Sequence, residues 1–219
     1  MELNLDEAEI RVLGSLMEKA LATPDYYPLS LNALTGACNQ KSNRDPVVSY
    51  DEEAVDAAAD RLIERGLVNR EIVGRVHKYE ELLTRRHDLV PRESAVLCVL
   101  LLRGPQTPGA IRSRTGRLCT FDDLDGVGET LENLTEWGLV AQLPRMPGHK
   151  ESRFTHLLAG EAPPTEAPDR PAPPPSDAAA EPEAAAPRMD DLAEEVKSLR
   201  SELAGLRSAF EAFRKQFED

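Results

Sequence analysis

Aromatic residues make up only 5% of this 219-residue chain, so its cores have to be filled mainly by Leu, Val and Ala, as in small domains. Cysteine is scarce as well: there are three, an odd number with no CxxC pair, which excludes a disulfide framework and suits a reducing compartment. The longest apolar run, residues 95–102, falls far short of the ~20 residues that span a bilayer, so no membrane partner is expected. The opening MELNLDEAEI is acidic and has neither the cationic nor the apolar region of a signal peptide. A soluble cytoplasmic protein is expected. Excess positive charge is also missing. The net charge is −13, with 17 acids and 11 bases in residues 1–88, 8 and 8 in residues 89–160, and 14 and 7 in residues 161–219. Long-range attraction to a phosphate backbone is therefore absent, and any DNA contact has to rest on local patches.

Catalytic chemistry is equally thin. His77, His87, His149 and His156 form no helical HxxxH or Cys-based ligand spacing. Cys98 lies in an apolar helical run and reads as a core thiol; Cys119, near Leu118 and Phe121, reads the same way. No Gly-rich phosphate loop follows a strand. The chain is read as non-enzymatic, with no cofactor and no metal.

What the chain does contain is a repeated layout. Asp6 and Glu9 have capping-box spacing at the start of a helix, and Ile10, Leu13, Leu16, Met17, Ala20 and Leu21 recur on one face of it. Thr23-Pro24-Asp25 stops that helix. A short second helix is expected over roughly 30–38. A third, with Ser49 and Glu52 as its capping box, buries Val55, Ala59, Leu62 and Ile63 and ends at Gly66. Two strands follow, the second running from Val76 to Leu83, with a turn at Gly74-Arg75. Three helices and a hairpin make the winged-helix layout. The series then recurs: a helix over 91–102 stopped by Arg103-Gly104-Pro105, a short one capped by Thr107 with Pro108 first, and one over about 125–137. Strands over 139–143 and 153–158 close it, flanking a tip at Pro147-Gly148. Residues 62–68 and 134–140 share L-x-E-x-G-L-V, a helix end, a permissive glycine and a strand start in register. The fold expected is mainly α with small β-hairpin wings, in two tandem winged-helix domains, 1–88 and 89–160.

Nine prolines crowd residues 161–187, a composition that cannot bury enough surface to order itself. A coiled-coil helix over 188–219 is expected beyond it, with Val196, Leu203, Phe210 and Phe217 at position a and Leu192, Leu199, Leu206 and Phe213 at d. Glu195 and Glu202 at g would meet Arg200 and Arg207 at e in a parallel pair, so a homodimer through this helix is expected.

The least generic stretch is residues 27–46, YPLSLNALTGACNQKSNRDP. Pro28 restrains Tyr27 to an extended conformation, and the polar run 39–45 is denser in directional hydrogen-bonding groups than a spacer needs. It reads either as a loop pinned by its own side chains or as a surface facing a ligand or partner. This stretch, with LLRGPQTPGAIRSRTGRL (101–118) and LPRMPGHKESRFTHLL (143–158), resembles the YceH family of bacterial proteins over about residues 5 to 160. Tyr27, Pro28, Asn32, Cys38, Asn39, Gln40, Asn43 and Arg44 carry the motif, and Ala110 stands where the family pattern leads one to expect an acid. The resemblance implies a pair of winged-helix domains and no particular activity.

DNA contact in the usual mode is disfavoured, because both third helices are acidic: Asp51, Glu52, Glu53, Asp56 and Asp60 in one, Asp125, Glu129 and Glu132 in the other. The candidate phosphate contacts are instead Arg70, Arg75 and Lys78 in the first wing and Arg145, Lys150 and Arg153 in the second. Lys41 and Arg44 add to the first domain near its second helix, and Arg112, Arg114 and Arg117 to the second. Such contacts would hold double-stranded DNA without reading bases. Ion pairing with neighbouring acids competes for the same cations. Two functions therefore remain open: DNA-associated transcriptional regulation through basic wings, and a protein-interaction adaptor using the acidic third helices and the 27–46 stretch.

Overall fold

The computed structural model describes residues 3–145 and 151–160, all within one compact unit, Met1–Asp169. The expected linker over 161–187, the expected tail helix with its Leu192, Val196, Leu199, Leu203, Leu206, Phe210, Phe213 and Phe217 seam, the expected tip at Pro147-Gly148, and Lys150 lie outside the described residues. The described part is mainly helical, with seven α-helices and two small antiparallel sheets. None of these helices is long and apolar enough to cross a membrane.

Helix α1 (Glu7–Ala22) begins as its sequence requires, with Asp6 accepting from the Glu9 N–H at 2.8 Å and the Glu9 carboxylate accepting from the Asp6 N–H at 2.8 Å. Its burial differs from the one-faced helix expected. Every residue from Arg11 to Glu18 is buried, whereas Ile10, Ala20 and Leu21 are only partly covered. The reason is that α1 is packed on more than one side, by α2 (Leu31–Cys38) and α3 (Glu52–Glu64), and by α5 (Pro91–Arg103).

The cap of α3 is Asp51, whose Oδ1 accepts from the Ala54 N–H at 2.8 Å, and not Ser49. Asn39 explains the shift. Its side-chain amide donates to Tyr50 O at 2.7 Å and accepts from the Tyr50 N–H at 2.8 Å, which ties Tyr50 to the loop and leaves Asp51 as the first residue able to cap. Strands β2 (Val68–Val73) and β3 (Val76–Glu81) pair through a turn at Gly74, whose φ of 68° favours glycine. A two-residue strand too short for any periodicity, β1 (Leu29–Ser30), adds to β3, in the order β1-β3-β2. Leu83, expected at the end of the second strand, opens a short helix instead, α4 (Leu83–Arg86).

The second half repeats this plan with α5, α6 (Pro108–Thr115), α7 (Asp125–Glu136), β4 (Val140–Gln142) and β5 (Phe154–His156). Ser30 caps α2 by accepting from the Ala33 N–H at 3.3 Å, and Thr107 caps α6 by accepting from the Ala110 N–H at 3.2 Å. The two L-x-E-x-G-L-V segments end their helices identically. Gly66 N–H bonds Ile63 O and Leu67 N–H bonds Leu62 O, while Gly138 N–H bonds Thr135 O and Leu139 N–H bonds Leu134 O. Even the third strand has a counterpart, because Gln106 bridges Phe154 as Leu29 pairs with Tyr79.

The halves meet where α1 crosses α5. A Cβ at Gly14 would lie 3.0 Å from Leu101 Cβ and 2.9 Å from Leu102 Cδ2, so the missing side chain is what allows the close approach. Cys98 donates its thiol to Gly14 O at 3.6 Å on the same crossing.

Candidate functional site

Within the 39–46 loop, neighbouring residues have opposite fates. The Arg44 side chain is 0% exposed, and all its donors are used: Nε and Nη2 on Ala37 O at 3.2 and 2.7 Å, Nη1 on Asn43 O at 3.0 Å, and a fork onto the Glu18 carboxylate at 3.1 and 2.7 Å. Arg11, also buried, donates to Cys38 O and Pro46 O at 3.4 and 2.6 Å. Burial, then Arg44 beside it, lowers the Arg11 pKa. Arg44 is thus a bolt between loop and helix, and its expected role as a phosphate contact is corrected on that ground. Cys38 is buried, and burial pushes its thiol pKa up, so it is not a poised thiolate. Asn32 donates to Glu52 at 3.2 Å, and the Tyr27 hydroxyl accepts from the Glu81 N–H at 2.6 Å. Pro28 is half-buried beside Tyr27.

Between these anchors, Gln40, Lys41 and Ser42 have side chains that make no hydrogen bond or ion pair among the described residues. They form one wall of a cleft of about 1060 Å³. The end of α1 supplies Glu18 and Lys19, α5 supplies Cys98, Val99, Leu102 and Arg103, and the α6 region supplies Ser113, Arg114, Arg117 and Leu118. Lys41 from the first repeat and Arg114 and Arg117 from the second, all exposed, are thereby brought together. Lys19 and Arg103, which were not candidates on sequence, join them. Arg103 donates to Asn43 Oδ1 at 2.9 Å, and its pKa is lowered by burial and then by the nearby Arg114. Only the basic spacing R-x-x-R at 114 and 117 hinted at this cleft, and the rest comes from residues far apart in the chain.

The wing candidates divide. Arg70 is spent internally, on Asp60 at 2.6 Å and Asp56 at 3.7 Å, and its charge lies 6.0 Å from the Tyr79 ring centre. Arg112 donates to Phe121 O at 3.3 Å and to Asp122 O, holding the loop after α6. These two are positioning residues in this structure and not free cations. Arg75 and Lys78 on the first hairpin and Arg153 on the second make no ion pair among the described residues; Arg145 donates to Ser152 Oγ at 3.4 Å. Ile72, Val73 and Val76 stand exposed at the first hairpin's tip, Ile72 at 69%. The α3 carboxylates are less available than their sequence suggests: Asp51 caps the helix, Asp56 accepts from the Tyr79 hydroxyl at 2.7 Å, and Asp60 faces Arg70.

The family described as "Protein of unknown function, DUF480" matches residues 5–149. The chain is 57% identical over 163 residues to a UPF0502 protein of Solibacter usitatus, covering 74% of this chain and 79% of that one. It is 52% identical over 177 residues to a UPF0502 protein of Geobacter sulfurreducens, covering 80% of each. A UPF0502 protein of Opitutus terrae is 51% identical over 178 residues, covering 79% of this chain and 77% of its own.

Proposed function

The chain belongs to the DUF480 family, and for it we propose a non-enzymatic, DNA-associated regulatory role carried by two tandem winged-helix domains that touch the phosphate backbone through their hairpins. The observation that carries this reading is the division of cations on the hairpins. Arg70 neutralises the α3 acids from within, while exposed Arg75 and Arg153 and half-buried Lys78 make no ion pair among the described residues. Contacts of this kind position a duplex without specifying its sequence. The heptad seam of the tail adds a parallel homodimer to the proposal, doubling the contacts available to one duplex.

Anisotropy titration of a labelled duplex tests it. About six phosphate contacts, three from each protomer, give a slope of log K against log salt near −5, and replacing Arg75, Lys78 and Arg153 together by Ala in both protomers removes most of it. Absence of binding at ~50 mM salt and micromolar protein overturns the proposal, because nonspecific DNA binders remain visible there. The second reading, a protein-interaction adaptor, is favoured by the exposed Ile72, Val73 and Val76 at the first hairpin's tip, and it is the one left standing if the duplex does not bind.

A further inference from the structure

We propose that the cleft between α1, residues 40–43, α5 and α6 binds a small phosphorylated molecule with an apolar body, of the class of the nucleoside phosphates. Its volume of about 1060 Å³ lies at the upper end of the ~300–1000 Å³ typical of small-ligand sites, far more than a bare phosphate fills. Five cations line it, Lys19, Lys41, Arg103, Arg114 and Arg117, against one carboxylate, Glu18. That carboxylate is already held by the fork from buried Arg44, with Lys19 at 3.8 Å. The lining therefore carries a net charge of +4 in a chain whose net charge is −13.

Apart from the Lys19–Glu18 pair, little of this charge is used among the described residues. Lys41, Arg114 and Arg117 have no partner among the described residues, and Arg103 reaches only the Asn43 amide oxygen. Arg103 and Arg114 lie close enough for one to depress the proton affinity of the other, a repulsion that an anion between them would reverse. Guanidinium pairs suit phosphate because they donate in a planar fork. The floor is different in kind: half-buried Leu118, backed by the nearly covered Val99 and Leu102, gives an apolar patch that a phosphate cannot use and a nucleobase or similar body can. A duplex backbone presents phosphates on a convex surface and has no group to place on that floor. The hairpin cations of the DNA reading are not part of the lining, so the two proposals stand on separate residues.

Calorimetric titration of the full chain with ATP, AMP, adenosine, pyrophosphate and a short duplex tests this. The expected result is saturable binding of ATP and AMP, with adenosine and pyrophosphate each weaker by roughly tenfold or more, since each lacks one half of the recognition. The exposed triple variant Lys41→Ala, Arg114→Ala, Arg117→Ala, checked for unchanged circular dichroism and melting, should weaken ATP by at least tenfold or so. The hairpin triple variant should bind ATP as the parent does. No heat from any phosphorylated probe at ~1 mM, where even weak small-ligand binding registers, overturns the proposal. ATP affinity unchanged in the cleft variant does the same, as does pyrophosphate binding as tightly as ATP. Duplex affinity falling in the cleft variant while no nucleotide binds gives the cleft to DNA and also overturns it.

Discussion

In the first half of the molecule the buried carboxylate of Glu9 faces guanidinium groups, Arg61 at 3.5 Å and Arg65 at 3.2 Å. The corresponding carboxylate in the second half, Glu93, is met by the neutral amide of Asn133 at 3.5 Å. Each also accepts from the backbone N–H just ahead of its helix, Asp6 or Val90. The shared requirement is an acceptor for that N–H and a donor from the third helix; charge is optional. The same contrast recurs elsewhere. Tyr79 bonds Asp56 where the second half has Phe154, and Arg44 is sealed against the Glu18 carboxylate whereas Arg112 reaches only backbone carbonyls. Two copies of one plan are therefore fixed by different chemistry among the described residues, charged pairs in the first and neutral hydrogen bonds in the second.

The largest test of that contrast is Arg44→Ala, which leaves Glu18 largely buried with only Lys19 at 3.8 Å to meet its charge. It should cost about 3–5 kcal/mol in urea denaturation. A loss below ~1.5 kcal/mol, the net value of an ordinary hydrogen bond, would erase the difference between the halves.

The pH dependence should come from the second half. Glu81, at the β3 position matching His156, accepts from the Thr84 N–H at 2.9 Å, whereas His156 Nδ1 is buried with no partner among the described residues. Burial pushes the His156 pKa down to about 4, against ~6.5 in an unfolded chain. Between those values the unfolded state binds a proton that the native state refuses, so stability rises with pH across this window. By about pH 4 the accumulated loss is about 3 kcal/mol, and it is absent above ~6.5. Replacing His156 by Gln should flatten the curve, measured as urea midpoints at several pH values. An unchanged slope would place the acid sensitivity elsewhere.

A smaller pair of substitutions compares the two loops. Asn39→Ala removes two part-buried bonds to Tyr50 and should cost about 2 kcal/mol. Arg112→Ala removes one part-buried and one exposed bond to backbone carbonyls and should cost about 1 kcal/mol. Equal losses in thermal melts would show that the second loop is held as firmly as the first.

Local signals made much of this fold legible. Asp6 with Glu9, Thr107 with Pro108, and the glycines at 66, 74 and 138 each act within a few residues, and each lies where its chemistry predicts. What escaped was non-local. Arg44 looks like any loop arginine until Glu18, 26 positions earlier, is folded against it. Ser49 has the spacing to Glu52 of a cap, yet Asp51 caps the helix, with the distant Asn39 holding Tyr50 between them. The cleft is assembled from four separated segments, so no single stretch carries its pattern. Burial all round α1 was hidden for the same reason, since its second partner, α5, begins at Pro91.

The absent side chain at Gly14 also governs what can be learned by optical means. The chain has a single tryptophan, Trp137, at the end of α7 in the second half. Its indole, partly exposed, lines a pocket that Leu3, Arg86 and His87 of the first half also line. Because α1 rests its backbone on α5, and α5 packs against α7, loss of order in the first half removes one wall of the core beneath the fluorophore. One indole thus serves as a thermometer for both repeats, through that crossing and through the pocket it shares with Leu3, Arg86 and His87.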